Sequence, residues 1–279
     1  SYNPGNGRGS VKKATVKNNE SVTLKSETSL GYQAPEAEGK EYYFAGWATS
    51  MEDANNGKAT YAAGQTVHVD VNGENVLYAT WIEKRVITVK AKSGTATYTG
   101  KEHKVEGFEA TEFTVDGNKY TVEGLTASGA TGTDAGNYTS KVTGKAVVKD
   151  AADNNVTKQF TVKTENGSLV ISKATVTLKS ADLNKEYDGK ALVNGKTALA
   201  KEEGWAEGEG ATYAFTGSQT VVGSSANAFS YTLKDGTKAD NYTISKTEGT
   251  LTVKDRATKY EITVKAKSGT ATYTGKEHK

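Results

Sequence analysis

Ile87-Thr-Val-Lys-Ala-Lys-Ser-Gly-Thr-Ala-Thr-Tyr-Thr-Gly-Lys-Glu-His-Lys104 returns letter for letter as Ile262–Lys279, an offset of 175 positions (262 minus 87). A reactive centre has no chemical reason to copy an opening strand and its turn verbatim at that distance. A tandem array does, because it grows by duplicating whole folding units. The chain therefore reads as a piece of a longer repetitive protein, with its final copy stopping partway through a unit.

Inside the long period lies a shorter one. One stretch opens on Tyr98-Thr-Gly100-Lys101, passes through Asn137-Tyr138-Thr139 and closes on Gly167-Ser-Leu169-Val-Ile171. Another opens on Tyr187-Asp-Gly189-Lys190, passes through Asn241-Tyr242-Thr243 and closes on Gly249-Thr-Leu251-Thr-Val253. Units of roughly 80 to 90 residues are large enough for a two-sheet domain to bury its own core. The expected organisation is a first domain over 1–83, a repeat A over 84–173, a repeat B over 174–255, and the truncated start of a second repeat A over 256–279.

Composition points to an all-β chain. Thirty glycines punctuate short runs rich in Thr, Val and Tyr, the mark of many brief strands joined by turns. No stretch sustains apolar spacing at three and four residues, which argues against a long amphipathic helix. Lysine and arginine number 35 against 33 acidic residues, interspersed and not blocked. A nucleic-acid partner would need a one-sided basic surface, so none is expected. No apolar run reaches membrane-spanning length. Cysteine is absent, which in an exported protein suits the Gram-positive habit. Only Pro4 and Pro35 occur, and Val170-Ile-Ser-Lys-Ala-Thr-Val176 runs from one closing strand into the next opening strand without a Pro- or Gly/Ser-rich linker. Short connections restrict interdomain bending, so a stiff, elongated rod is expected.

Residues 1–83 carry their own landmarks: Phe44-Ala-Gly46-Trp47, Tyr61-Ala-Ala-Gly64 and Leu77-Tyr78-Ala-Thr-Trp81. Trp47 and Trp81 each supply a large apolar area, which suits core packing in a small domain without disulfides. This series resembles the internalin B-repeat, also called the Listeria-Bacteroides repeat, in its F-x-G-W, Y-x-x-G and L-Y-A-x-W blocks. The resemblance implies a small β-grasp-like sheet with at most one short helical turn, placed around Ser50–Ala54, and a first strand at Tyr2 leading into a Gly-rich turn.

In repeat A, Asp134-Ala-Gly136-Asn-Tyr138 has the D-x-G-x-Y form of a tyrosine corner, in which the hydroxyl bonds back to the backbone at a sandwich edge. Repeat B keeps Asn241-Tyr242 but has Lys238-Ala-Asp240 before it. Its landmarks, with Thr216-Gly-Ser-Gln-Thr220 and Val222-Gly-Ser-Ser-Ala-Asn227, resemble the MBG-type, immunoglobulin-like repeats of large bacterial surface proteins, and repeat A is similar more distantly. The resemblance implies immunoglobulin-like sandwiches in a stalk or adhesin segment displayed outside the cell.

Catalysis finds no foothold. His68, His103 and His278 are the only histidines, spread one to a module, and neither a nucleophile triad nor a zinc site assembles from them. His103 reads as an exposed turn residue. The acidic stretches Asp70-Val-Asn-Gly-Glu74 and Asp150-Ala-Ala-Asp-Asn-Asn155 lack calcium-loop spacing and read as turns. No cofactor and no metal is expected. The function expected is a non-enzymatic stalk or adhesin segment at the bacterial cell surface, with any export signal and any wall-sorting or layer-attachment segment lying outside this piece. The alternative is an adhesin module binding a host glycan or protein through exposed aromatics, with Trp205 in Gly204-Trp-Ala-Glu-Gly-Glu-Gly210 as its candidate. The chain is expected to be monomeric, with residues 260–279 able to exchange for their identical partners in another molecule.

Overall fold

The computed structural model of the chain describes residues 1–17, 19–68, 75–195, 198–259 and 261–277. It is nearly all β, in many small sheets, none of them closed. Residues Ser1–Ala96 and Lys101–Ser172 form one compact unit, and Thr97–Gly100 with Lys173–Lys279 form the second. The segment Asp70–Glu74 and His278 lie outside the described residues.

In the first unit, Tyr2–Asn3 pairs in parallel with the start of Leu77–Glu83, whose other side pairs antiparallel with Tyr42–Ala48. One helix, Met51–Asn55, follows the last of these strands. Its start is fixed locally: the Ser50 hydroxyl accepts the Asp53 N–H at 3.0 Å and donates to the Asp53 carboxylate at 2.7 Å, satisfying one of the four unpaired donors of a helix N-terminus. This is the short helix that Ser50–Ala54 predicted, beside a small mixed sheet.

The F-x-G-W block works through a bulge. Phe44 and Trp47 stand an odd number of residues apart, so regular alternation would send them to opposite faces. The register of Tyr42–Ala48 against Leu77–Glu83 shifts between Phe44 and Gly46, and the extra residue turns both rings inward. They meet edge to face at 5.0 Å. Gly46 sits at φ +143, and a Cβ there would lie 2.4 Å from the Tyr61 carbonyl. Trp47 is fully buried among Tyr2, Leu24, Tyr32, Phe44 and Ala79. Its indole N–H donates to the Lys25 carbonyl at 2.9 Å. Trp81 is half-buried and donates to the Pro4 carbonyl at 3.0 Å, which holds the Gly-rich turn over the sheet. Both tryptophans thus pack the module's interior.

A second apolar cluster in the same unit gathers Ile87, Val89, Tyr120, Val122, Val148 and Phe160. It draws on none of the residues of the first cluster. Arg85–Lys90 runs parallel to Phe160–Glu165, and Asn118–Ala127 pairs antiparallel with Val142–Asp150. Beyond Ala91 the chain changes sheets: Gly94–Thr97 joins Gly167–Ser172, which also pairs with Gly136–Ser140. The second unit repeats this plan. Ala174–Lys179 runs parallel to Tyr242–Thr247, while Leu183–Glu186 and Gly223–Asn227 flank Gly249–Lys254. In both, inward residues recur at every second position: Ile87 and Val89, Leu169 and Ile171, Val176 and Leu178, Leu251 and Val253 are all buried. The fold is the expected all-β sandwich.

The shared topology explains one landmark and reassigns another. Gly167 and Gly249 open equivalent strands at the point where the preceding segment crosses between sheets. A Cβ on Gly167 would lie 2.1 Å from the Lys92 carbonyl, and one on Gly249 would lie 2.4 Å from the Ala181 carbonyl. Backbone cannot yield as a flexible side chain does, so Gly167→Ala is expected to lower the stability of its sandwich by about 1–3 kcal/mol or more. Chemical denaturation would register the loss, and an unchanged midpoint would contradict the packing.

The Asn-Tyr-Thr landmarks, by contrast, are not equivalent. Tyr138 lies opposite Leu169 in an antiparallel pair, and the counterpart in the second unit is Ser225, opposite Leu251. Tyr242 instead starts the strand that corresponds to Phe160–Glu165, each preceded by one turn of 3-10 helix. The Tyr138 hydroxyl donates to the Asp134 carbonyl at 2.9 Å, the geometry of a tyrosine corner. Tyr242 makes no such bond, and its partners are described below.

Three smaller expectations meet the structure differently. His103 lies on a strand, His103–Val105, paired with Ala130–Gly132, and is half-buried. Its backbone is claimed by that partner strand and so is not free to turn. Asp150–Asn155 is the expected turn: the Asp150 carboxylate accepts the backbone N–H of Ala152 and Asn154, each at 2.9 Å, and Asp153 adopts φ +65. The second copy of the opening segment forms no strand over residues 261–277, whereas the first copy, Ile87–Lys104, is built into three sheets.

Single residues separate two pairs of successive strands. Lys84 alone separates Leu77–Glu83 from Arg85–Lys90, and Lys173 alone separates Gly167–Ser172 from Ala174–Lys179. Within the first unit, Glu41 accepts a hydrogen bond from the Thr161 hydroxyl at 2.8 Å and pairs with Lys84 at 3.2 Å. The Lys158 ammonium stands 6.0 Å from the centre of the Tyr43 ring. Exposed pairs of this kind contribute little individually, so the one-residue connection is the stronger restraint on the first two modules.

Candidate functional site

The glycine-rich loop Gly204–Gly210 singled out for Trp205 brings aromatic and acidic groups of the second unit together. Gly204, Gly208 and Gly210 all hold positive φ, which lets the loop curl tightly enough to present Glu209 inward. One oxygen of the Glu209 carboxylate accepts the Tyr98 hydroxyl, and the other accepts the Tyr242 hydroxyl at 2.8 Å. The Tyr242 oxygen in turn accepts the backbone N–H of Ala206 at 3.0 Å. One carboxylate is thereby satisfied by two phenols, charge-assisted bonds stronger than neutral ones.

Aromatic packing reinforces this arrangement. Tyr98 meets Tyr242 edge to face at 5.3 Å, and Trp205 meets the same ring at 4.8 Å, spacings favourable for aromatic pairs. Gly100, which closes the Tyr98 turn, lies so near the loop that a Cβ there would be 3.2 Å from the Ala206 Cβ. A second phenol–acid pair flanks the group: the Tyr213 hydroxyl donates to Glu202 at 2.6 Å. The Trp205 indole N–H is buried and has no hydrogen-bond partner among the described residues.

Burial pushes the Tyr98 phenol up to about 12, with the hydrogen bond to Glu209 and the charge of that carboxylate adding to it, while a hydrogen bond from Asn241 opposes. Tyr213 is raised for the same reasons, burial first and Glu202 next, and Tyr242 is raised chiefly by burial. A phenol held protonated more tightly in the folded chain stabilises it below its ordinary value near 10, and that contribution is lost as pH rises toward about 12. The second unit is therefore expected to lose stability between those values. Tyr98→Phe should flatten the dependence, as read by denaturation at stepped alkaline pH; equal slopes for both chains would contradict the assignment.

Trp205 is half-buried, its ring turned onto Tyr242 and not spread as an open platform. Trp47, Trp81, Asp134 and Tyr138 all belong to the first unit, whereas this loop belongs to the second. Sequence reading passed over Tyr98, Glu209 and Tyr242 as partners. The Tyr-Thr-Gly-Lys turn and the acid-bearing glycine loop were both visible, but their pairing spans 111 positions. Among the described residues, no group of three or more His, Asp or Glu side chains is placed to hold a metal, and no helix is long and apolar enough to cross a membrane. The site offers hydrogen-bond satisfaction and packing.

Neither protein-family models nor curated proteins give a match to this chain.

Proposed function

We propose that this chain is a non-enzymatic stalk segment of an exported bacterial surface protein, of the internalin B-repeat and MBG-type immunoglobulin-like kind, whose repeated β-modules set the distance between a cell envelope and a distal binding region. The observation that carries this reading is the verbatim recurrence of Ile87–Lys104 at Ile262–Lys279. Two supports accompany it: single-residue connections at Lys84 and Lys173, and two sandwiches built on one topology. Where function lies in reach, duplicating a module is useful without any change in chemistry.

The Glu209 cluster is consistent with this role, because its acid and phenols hydrogen-bond one another. The extracellular, Gram-positive setting and anchoring to the wall belong to the same proposal, supported by the absence of cysteine. Small-angle scattering tests it. Strands rising about 3.3 Å per residue make a module roughly 35–40 Å long, so the chain should scatter as an extended particle. A compact globular profile would defeat the stalk reading.

A further inference from the structure

The two sandwiches differ in where one short strand sits. In the first unit Asn118–Ala127 has a neighbour on each side, Glu112–Val115 and Val142–Asp150. Its counterpart in the second unit is Ala211–Phe215, paired with Phe229–Leu233. Like Val142–Asp150, that partner precedes a 3-10 turn and the strand running parallel to the opening one. The short third strand, Lys201–Glu203, pairs instead with the opening strand Ala174–Lys179. Among the described residues, no strand pairs with the other edge of Ala211–Phe215. The phase of the ladder fixes which groups line that edge. The Lys234 N–H donates to the Gly210 carbonyl and the Thr216 N–H to the Ala228 carbonyl. In an antiparallel pair the bonding alternates, so Thr212 and Ala214 bond inward, and the N–H and C=O of Ala211, Tyr213 and Phe215 point outward.

Open edges are ordinarily blunted by charge, proline or a bulge. The first unit follows that rule: Glu112 lies on its outer strand, Lys145, Lys149 and Asp150 lie on Val142–Asp150, and the ladder shifts register between Glu123 and Leu125. Ala211-Thr-Tyr-Ala-Phe215 carries no charge, no proline and no bulge. We propose that Ala211–Phe215 pairs antiparallel with the same strand of a second copy of this chain, about a two-fold axis between the two Tyr213 residues. The strand is complementary to itself in that register. Ala211 stands opposite Phe215 on one face, small against large, and Thr212 stands opposite Ala214 on the other, with no like charges facing. Hydrogen bonding agrees: the two Tyr213 residues exchange N–H···O bonds and Ala211 exchanges them with Phe215, so every outward group finds a partner. A two-fold contact needs only this one patch, which a second copy supplies by identity. Failure of the pairing would leave the scattering test untouched.

Sedimentation equilibrium of the full chain tests this. One short strand per copy makes a small interface, so dimers with a Kd on the order of 0.1 mM are expected. A chain that stays monomeric at about 1 mM would overturn the proposal and leave the edge to a strand of another protein. Thr212 and Ala214 are exposed, so charges placed there spare the core. Thr212→Lys with Ala214→Lys sets lysine directly opposite lysine and should weaken association by about tenfold. Thr212→Glu with Ala214→Glu should do the same. An equimolar mixture of the two variants brings opposite charges face to face and should restore it. Association that survives the double lysine change belongs to another surface, and a mixture that fails to recover excludes this register; either result overturns the proposal. If amide spectra show the variants unfolded, hydrogen exchange in the unmodified chain decides. The outward N–H groups of Tyr213 and Phe215 should exchange more slowly as concentration rises, and rates independent of concentration would refute the pairing.

Discussion

Trp47→Ala is expected to remove about 3–5 kcal/mol from the first module, the range for excising a buried tryptophan. The ring is fully buried and meets Tyr2, Tyr32 and Phe44 at 4.9 to 6.2 Å between centroids. Its N–H satisfies the Lys25 carbonyl, which alanine leaves without that donor. A module of about 80 residues has only roughly 4–12 kcal/mol of total stability, so the loss consumes much of it. Of the three tryptophans, Trp81 remains as the reporter within this module and Trp205 reports on the second unit. In urea, the Trp81 transition should move to much lower concentration while the Trp205 transition stays in place. Two transitions that move together would show that the cores are not separate.

Leu178→Ala is the reciprocal experiment. Leu178 is fully buried in the strand Ala174–Lys179, with Tyr242–Thr247 on one side and Lys201–Glu203 on the other. Large-to-small replacement at such a site costs about 2–5 kcal/mol, according to how far the walls relax into the cavity. Strands hydrogen-bonded on both sides relax little, which favours the upper half of that range. Here the Trp205 transition should shift and the Trp81 transition should not. A small effect at Trp205 would mean that Leu178 is not a core anchor of the second unit.

The sequence carried the local content of the fold, and the structure added the distant partners. Alternating residues in Arg85–Lys90 and Gly249–Lys254 announce strands because burial on one face is a local pattern. The F-x-G-W block announces an aromatic strand, though the bulge that turns both rings inward appears only in the pairing with Leu77–Glu83, and Gly167 and Gly249 mark equivalent points because steric exclusion of a Cβ leaves glycine as the residue that fits. The Asn-Tyr-Thr triplets misled because a strand's place in a sheet is set by its partner, and the partner is chosen by register far along the chain. Tyr138 faces Leu169 in an antiparallel pair, whereas Tyr242 faces Ala174 in a parallel one. Three shared letters do not encode that difference.

The Gly204–Gly210 loop was half legible for the same reason. A tryptophan in a glycine- and acid-rich loop attracts notice as a ligand platform. What fills the loop is a tyrosine from a turn that precedes it by 111 positions. Glycines allow Gly204–Gly210 to fold around Tyr98 and Tyr242, and Glu209 then has two phenols to accept. Such a carboxylate is costly to leave half-paired at a partly buried position, which makes the Tyr98 turn a structural part of the second unit.

The account depends on each apolar cluster being closed within its own stretch of sequence. Amide NMR spectra of residues 1–83 alone, laid over those of the whole chain, test this most directly. The account predicts superposable resonances for Tyr2, Leu24, Phe44, Trp47 and Ala79, with shifts confined to the neighbourhood of Glu41 and Tyr43, which touch Thr161 and Lys158. A collapsed spectrum for the fragment, characteristic of an unfolded chain, would contradict it.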